Sequence, residues 1–317
     1  MNKKGDEFME LIPNEPKLFE LPEFVDKIRL SDNVLYHLSD IIASFEDYLK
    51  LINECTNGNN IDMLYYWLDE AGEELISSCN IEKHKFVFSN KELMSGDLFF
   101  ESLNISQKRI KDIHKFICEH SDSKSSLVGE YRKKPAWVGN VYQDGSVEVK
   151  WWGANIEDIE KFMKSYIEFY KKNSLKEIHA NPFLKAALSH LLFVKIHPFG
   201  DGNGRVSRII QNLSFTSGIN RVYDTNLKLS PLNISTNIHM NQITYVRRIN
   251  DIPFSIKDFN NDAVNRWLDF VLSMYDEQIH FQTEKLKNTQ IESQNKAFLS
   301  EAIITQSEKS KINKLFK

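Results

Sequence analysis

Two runs of helical apolar spacing converge on residues 197–208, and this junction constrains the chain more than any other segment. The window reads His-Pro-Phe-Gly-Asp-Gly-Asn-Gly-Arg-Val-Ser-Arg. Upstream, Asn181-Pro182 opens a helix with Asn as cap and Pro at the first helical position. Leu184, Ala187, Leu188, Leu191, Leu192 and Ile196 follow at helical spacing. Downstream, a second helix is expected to begin near Asn203, to carry Val206, Ile209, Ile210 and Leu213, and to stop at Gly218. The window is thus a loop that feeds a helix N-terminus, where free backbone N–H groups and the helix dipole favour an anion.

The side chains in the window point to phosphate chemistry. Gly202 and Gly204 let the backbone take positive φ and approach a ligand without a Cβ clash. Together with Asn203 they can present successive N–H groups as an anion nest. Arg205 and Arg208 lie three residues apart and share a helix face, and two guanidinium forks suit phosphate oxygens. Asp201 cannot hold phosphate directly, because like charges repel. A carboxylate beside phosphates ordinarily holds Mg²⁺. His197, at the mouth of the loop, has an ordinary pKa of roughly 6.5 and can take a proton near neutral pH. Base, metal ligand, nest and arginines together describe nucleotidyl or phosphoryl transfer to a hydroxyl, achieved by positioning and charge neutralisation.

The residues His-Pro-Phe-x-Asp-Gly-Asn-Gly-Arg-x-x-Arg resemble the signature of Fic-domain proteins (the Fic/Doc family), and residues 197–208 match it at every fixed position. The resemblance extends upstream to Asn181-Pro-Phe-Leu-Lys-Ala-Ala-Leu. It includes Gly129-Glu-Tyr-Arg and Trp137-Val-Gly, which look like the family's flap, and Tyr245 and Trp267-Leu-Asp-Phe-Val-Leu, which look like its closing helices. It implies an all-α, Fic-type helical bundle with a small β-hairpin flap. It also implies transfer of AMP from Mg·ATP, with ATP as substrate, to a Ser, Thr or Tyr hydroxyl of a protein. In that scheme His197 is the base and Asp201 the Mg²⁺ ligand. Gly202, Asn203 and Gly204 form the nest, Arg205 and Arg208 hold distal phosphates, and Phe199 anchors the loop. A kinase-like branch of the family carries Lys at the position of Gly204. Its absence favours adenylyl over phosphoryl transfer.

A second motif lies upstream. Residues 62–82 read as one helix, with Met63, Tyr66, Trp67, Glu70, Glu74 and Ile81 on its faces. Near its end, Ser78 and Glu82 are four apart and share a face. The pair resembles the family's inhibitory motif, Ser/Thr-x-x-x-Glu followed by Gly or Asn, although Lys83 stands at the final position. The resemblance implies that Glu82 pairs with Arg208 and blocks the γ-phosphate. Ser126 and Glu130 have the same spacing but lead straight into the flap.

At 317 residues the chain is long enough for one large domain or two small ones. Three regions are expected: residues 1–85 helical with the inhibitory helix, 86–275 the catalytic core, and 276–317 a helical tail. In the first, Pro13, Pro16 and Pro22 break the start and Leu30–Ile52 forms a helix. In the second, Val138, Val141, Val147 and Val149 flank the turn signal Asp144-Gly145, and Ile156–Lys171 returns to helical spacing. In the third, Ile279, Leu286, Ile291, Phe298 and Ile303 form a loose stripe that suits packing or a homodimer.

A net charge of −4 gives no electrostatic ground for nucleic-acid binding. No apolar run is long enough to span a bilayer, the first seven residues do not resemble a signal peptide, and three unspaced cysteines suit a cytoplasmic setting. His190 and His197 lack the companions a zinc site needs. Two other functions remain open: a hydrolase that removes AMP at the same site, and a nucleotide-binding regulator with vestigial catalysis. The intact His197 and Asp201 argue against the regulator.

Overall fold

The structure, a computed structural model, describes residues 21–56, 60–85, 103–122, 127–174, 176–253 and 258–293. Pro13, Pro16, Ser126 and the tail positions Phe298 and Ile303 lie outside the described residues, as do the side chains of Met63, Tyr66, Trp67 and Ile291. Helices α1 (Leu21–Lys27), α2 (Asp32–Thr56) and α3 (Asn60–Ile81) precede α4 (Gln107–Glu119). A hairpin of β1 (Trp137–Val141) and β2 (Val147–Trp152) follows. Then come α5 (Ile159–Lys171), the short α6 (Glu177–Ala180), α7 (Pro182–Ile196), α8 (Asn203–Tyr223), α9 (Ser235–Met240), α10 (Gln242–Asn250) and α11 (Asn261–Ser293). The all-α class with one small flap is what the molecule adopts, and among the described residues the hairpin is its one sheet.

Helix α7 sits at the centre. All fifteen of its residues are buried, polar ones included, so it has no solvent face and lies as an axis among its neighbours. Asn181 caps it as expected, its Oδ1 accepting from the N–H groups of Phe183 at 2.9 Å and Leu184 at 3.2 Å. Helix α8 packs along α7, which places the loop between them, residues 197–202, at one end of the core.

Gly218 does not stop α8, contrary to the expectation from sequence; the helix runs on to Tyr223. A Cβ at Gly218 would lie 2.8 Å from Pro182 Cβ. The glycine is therefore there for close approach to the start of α7, and a helix packed that tightly tolerates it at a propensity cost of about 1 kcal/mol. The chain ends α8 instead at Asp224, in the left-handed region with φ 50°. Helix α11 passes residue 276 without a break.

Helix α3 is fastened by polar groups. The buried Glu74 carboxylate accepts from Asn212 Nδ2 at 3.0 Å and from Ser235 N and Oγ at 2.8 and 2.5 Å. Glu70 accepts from Gln282 and Lys285 on α11, Ser77 Oγ lies 2.9 Å from Thr236 Oγ1, and Gln242 donates to the Ile81 carbonyl. These contacts fix the end of α3 over the start of α8.

The hairpin is antiparallel, pairing Trp137 with Trp152 and Val141 with Val147, with an irregularity at Val138/Gly139. Its turn carries Asp144 and Gly145, the latter at φ 83°, as the dipeptide predicts. No helix among the described residues is long and apolar enough to cross a membrane.

Candidate active site

The loop after α7 is organised from within. Phe199 is fully buried, with its ring stacked on His114 of α4 at 3.8 Å between centroids and 3° between planes. His114 Nδ1 accepts from Gly129 N–H at 2.9 Å, which leaves Nε2 to donate to the Asp201 carbonyl at 3.1 Å. The Asn203 side chain turns inward, accepting from Phe199 N–H at 2.9 Å and donating to Phe199 O at 2.8 Å. Asn203 thus shapes the loop with its side chain, while its backbone stays at the helix start. Gly202 caps α8 with φ 77°, as expected, whereas Gly204 lies inside the helix and does not take positive φ.

His197 ends α7 in the left-handed conformation, φ 52° and ψ 58°, and its N–H bonds to Phe193 O. A non-glycine residue there costs about 1–2 kcal/mol, a strain often found at functional positions. Its Nδ1 lies 3.2 Å from Val194 O, so the proton sits on that nitrogen and Nε2 is left as the basic one. The Trp151 ring meets the imidazole edge-on at 5.5 Å. Burial lowers the pKa to about 4, with Arg132 adding to the effect, so the imidazole is neutral at neutral pH.

Asp201 projects from the same loop. One carboxylate oxygen accepts from Gly202 N–H at 2.6 Å and the other faces Arg205 Nη2 at 3.0 Å. Its side chain is 36% exposed, so the carboxylate can still reach a bound ion.

Arg205 and Arg208 are only 1% and 2% exposed, and both meet Glu82. Glu82 Oε2 accepts from Arg205 Nε at 2.9 Å and Oε1 from Arg208 Nη2 at 2.8 Å. Sequence reasoning pairs Glu82 with Arg208 alone; the carboxylate spans both arginines. Ser78 completes the contact, its Oγ accepting from Arg208 Nε and its carbonyl from Nη2, each at 2.7 Å. A Cβ at Gly204 would run into Glu82 Oε1, so the glycine gives the carboxylate its seat. Glu130, the alternative by spacing, is exposed and pairs with Lys133 at 3.1 Å.

The fold brings further groups to the arginines. Ser121 Oγ accepts from Arg205 Nη1 at 2.9 Å. Behind Arg208, Tyr245 OH accepts from Nη1 at 3.3 Å and lies 2.9 Å from His190 Nε2, and His190 Nδ1 meets Gln211 Oε1 at 2.6 Å. Tyr245, which the sequence places only among the closing helices, therefore backs an arginine. His190 is a core histidine, and no group of three or more His, Cys, Asp or Glu that could hold a metal occurs among the described residues.

Burial holds His190 down to about 3 and His179 to about 4. The unfolded chain binds these protons near pH 6.5. Both groups therefore support the fold above that pH, and their contribution falls away as pH drops toward the folded values. Each should cost about 1–2 kcal/mol between pH 7 and 5. Thermal unfolding at the two pH values checks this: Tm should fall on acidification, and H190Q should flatten the slope.

The fold and site define a class of helical proteins with a phosphate-suited helix start, a neutral histidine and an arginine pair. Residues 104–214 match the model of the Fic/DOC family. The protein adenylyltransferase Fic of Drosophila erecta is 28% identical over 136 residues, which cover 40% of this chain and 25% of that protein. The Drosophila melanogaster protein of the same name gives the same identity and coverage. The matched region spans about a quarter of the length of these curated relatives. Among solved structures, a Fic-domain-containing signaling protein from Bacteroides thetaiotaomicron aligns with a TM-score of 0.54 at 18% identity, covering 80% of this chain and 97% of that one. Fic-1 from C. elegans (residues 134–508) aligns at 0.51 and 15%, covering 79% and 74%. These two likenesses extend the fold over most of the chain.

Proposed function

We propose that this protein is an adenylyltransferase that moves AMP from Mg·ATP to a hydroxyl side chain of a protein, and that Glu82 holds it in an inhibited state. The observation that carries the reading is the Glu82 carboxylate seated between two buried arginines at the head of α8, beside a neutral histidine. A carboxylate there occupies donors that suit a phosphate. The relatives' name, protein adenylyltransferase, supports the same chemistry.

In this mechanism the α8 N-terminus and the arginines bind and orient the triphosphate. His197 Nε2 takes the proton from the target hydroxyl, whose oxygen attacks the α-phosphorus. The bond from that phosphorus to the bridging oxygen breaks and pyrophosphate leaves. Anionic phosphates nearby raise the basicity of the imidazole. Asp201 is suited to hold Mg²⁺, which is typically bound by one or two carboxylates together with substrate phosphates and water. When bound, the ion neutralises phosphate charge. Parallel incubations with ATP labelled at the α- or the γ-phosphate test the reading. Label from the α-phosphate on protein supports it, and label from the γ-phosphate alone would replace it with phosphoryl transfer.

Asp201→Ala should abolish transfer and weaken Mg·ATP binding, as calorimetry with and without Mg²⁺ would report. Full activity of wild-type protein in excess chelator would contradict the assignment.

Lys83 explains how the inhibitory hook closes without the family's Gly or Asn. Its φ is 59°, in the left-handed region, where lysine costs about 1–2 kcal/mol. Lys83→Gly should relieve about 1 kcal/mol of that strain, raising Tm and lowering basal labelling several-fold. Unchanged labelling would mean that the turn does not set the strength of inhibition.

A further inference from the structure

Arg132 is 4% exposed, and the mechanism above gives it nothing to do. Its guanidinium nevertheless serves three carbonyls. Nε donates to His197 O at 2.8 Å, Nη1 to Lys134 O at 2.8 Å, and Nη2 to Ala154 O. Its backbone N–H donates to Pro198 O at 2.9 Å. The His197 carbonyl lies at the C-terminal end of a buried helix, where the last carbonyls lack partners within the helix.

The three carbonyls belong to three segments: the stretch before the flap, the stretch after β2, and the turn that carries the base. The stretch after β2 is tied to the same place by its backbone. Ala154 N–H donates to Ile196 O and Gly153 N–H to Ala136 O, both at 3.0 Å. Gly153 is packed so closely that an added Cβ would lie 2.9 Å from His197 Cβ and 3.0 Å from Arg132 Nη2. The Trp151 ring beside it touches the imidazole on one side and lies 4.3 Å from the Lys195 amine.

We propose that Arg132 is a positioning residue for the base: its fork holds the His197 carbonyl, fixes the left-handed turn that aims the imidazole, and locks that turn to the flap. The proposal rests on the functional reading above in taking His197 as the base. A planar fork reaches three carbonyls in fixed directions from three nitrogens, whereas an ammonium offers all its donors from one atom. The position also places a permanent cation near the imidazole. Among the described residues, Glu82 just after α3 and Asp201 from its own loop also act on the imidazole, and Lys195 of α7 lies over the Trp151 ring that meets it.

The test uses full-length protein with histidines labelled at Cε1, in the E82G background. His197 is titrated by NMR and AMP transfer is measured alongside. R132Q should raise the His197 titration midpoint by about 0.5–1 pH unit, because a nearby cation is lost. It should lower kcat about 10²-fold through misplacement of the base, with KM for ATP within about twofold. R132K should not restore kcat. G153A, which pushes on the same two side chains, should lower kcat in the same way and provides the second arm if R132Q does not fold. An unmoved midpoint in R132Q, or full kcat in R132K or G153A, overturns the proposal. If E82G itself transfers no AMP, the functional reading fails, while the NMR titration still decides whether Arg132 governs the imidazole.

Discussion

Replacing Glu82 by glycine should raise the rate of protein labelling from ATP by roughly two orders of magnitude, the scale set by relieving a misplacement of about 1 Å at the reacting phosphorus. The carboxylate takes one donor from each of two arginines that are almost wholly buried. With it in place, the triphosphate cannot use both forks and meets a negative charge where its distal oxygens would lie. Removal frees both arginines, and it also leaves two buried guanidinium cations partly unpaired. Stripping one partner from a buried pair costs about 3–5 kcal/mol, and the 24% exposure of the Glu82 side chain reduces that. The variant should therefore melt lower than wild type without nucleotide and recover when Mg·ATP is added, a reciprocal sign that phosphate fills the vacated seat. Adding Arg208→Ala should abolish labelling again. Labelling at the wild-type rate would remove Glu82 from the inhibitory role. Loss of an AMP-removing activity in E82G would favour the hydrolase, because that chemistry needs the carboxylate to orient water.

The candidate site was legible because its chemistry-bearing residues are concentrated in twelve consecutive positions at one helix start. Glycine, proline and asparagine specify backbone geometry directly there, so Gly202 at positive φ and Asn181 as a cap could be read locally. Ser78 and Glu82 were legible through their spacing, but the second arginine under Glu82 was not, since a glutamate's reach depends on how α3 docks. That docking is set by Glu70 and Glu74 meeting residues 138 to 215 positions away. Gly218 misled because the same residue ends helices and admits close neighbours, and only the packed Pro182 separates the two uses. Arg132 meets the His197 carbonyl, His114 the Asp201 carbonyl and Tyr245 the Arg208 guanidinium across 37 to 87 positions, where sequence spacing carries no information.

Replacing His197 is expected to have the other large effect: about a 10²- to 10⁴-fold loss of transfer, the usual worth of a general base, with ATP affinity nearly unchanged. The separation follows from where the groups sit. In the proposed mechanism phosphate binding falls to the α8 start and the arginines, whereas the imidazole only takes the proton of the incoming hydroxyl. Measurement in the E82G background keeps inhibition from masking the loss. The choice of replacement matters, because the residue must hold φ 52° at the end of α7. Asparagine tolerates that conformation better than most residues and lacks a comparable base. H197N should accordingly keep the parent's Tm and ATP affinity while losing transfer, and H197A should lose transfer to the same degree. Should H197N label protein at the parent's rate across pH 6 to 8, some other group takes the proton. Should both variants lose nucleotide binding together with transfer, the imidazole holds the donor rather than deprotonating the acceptor.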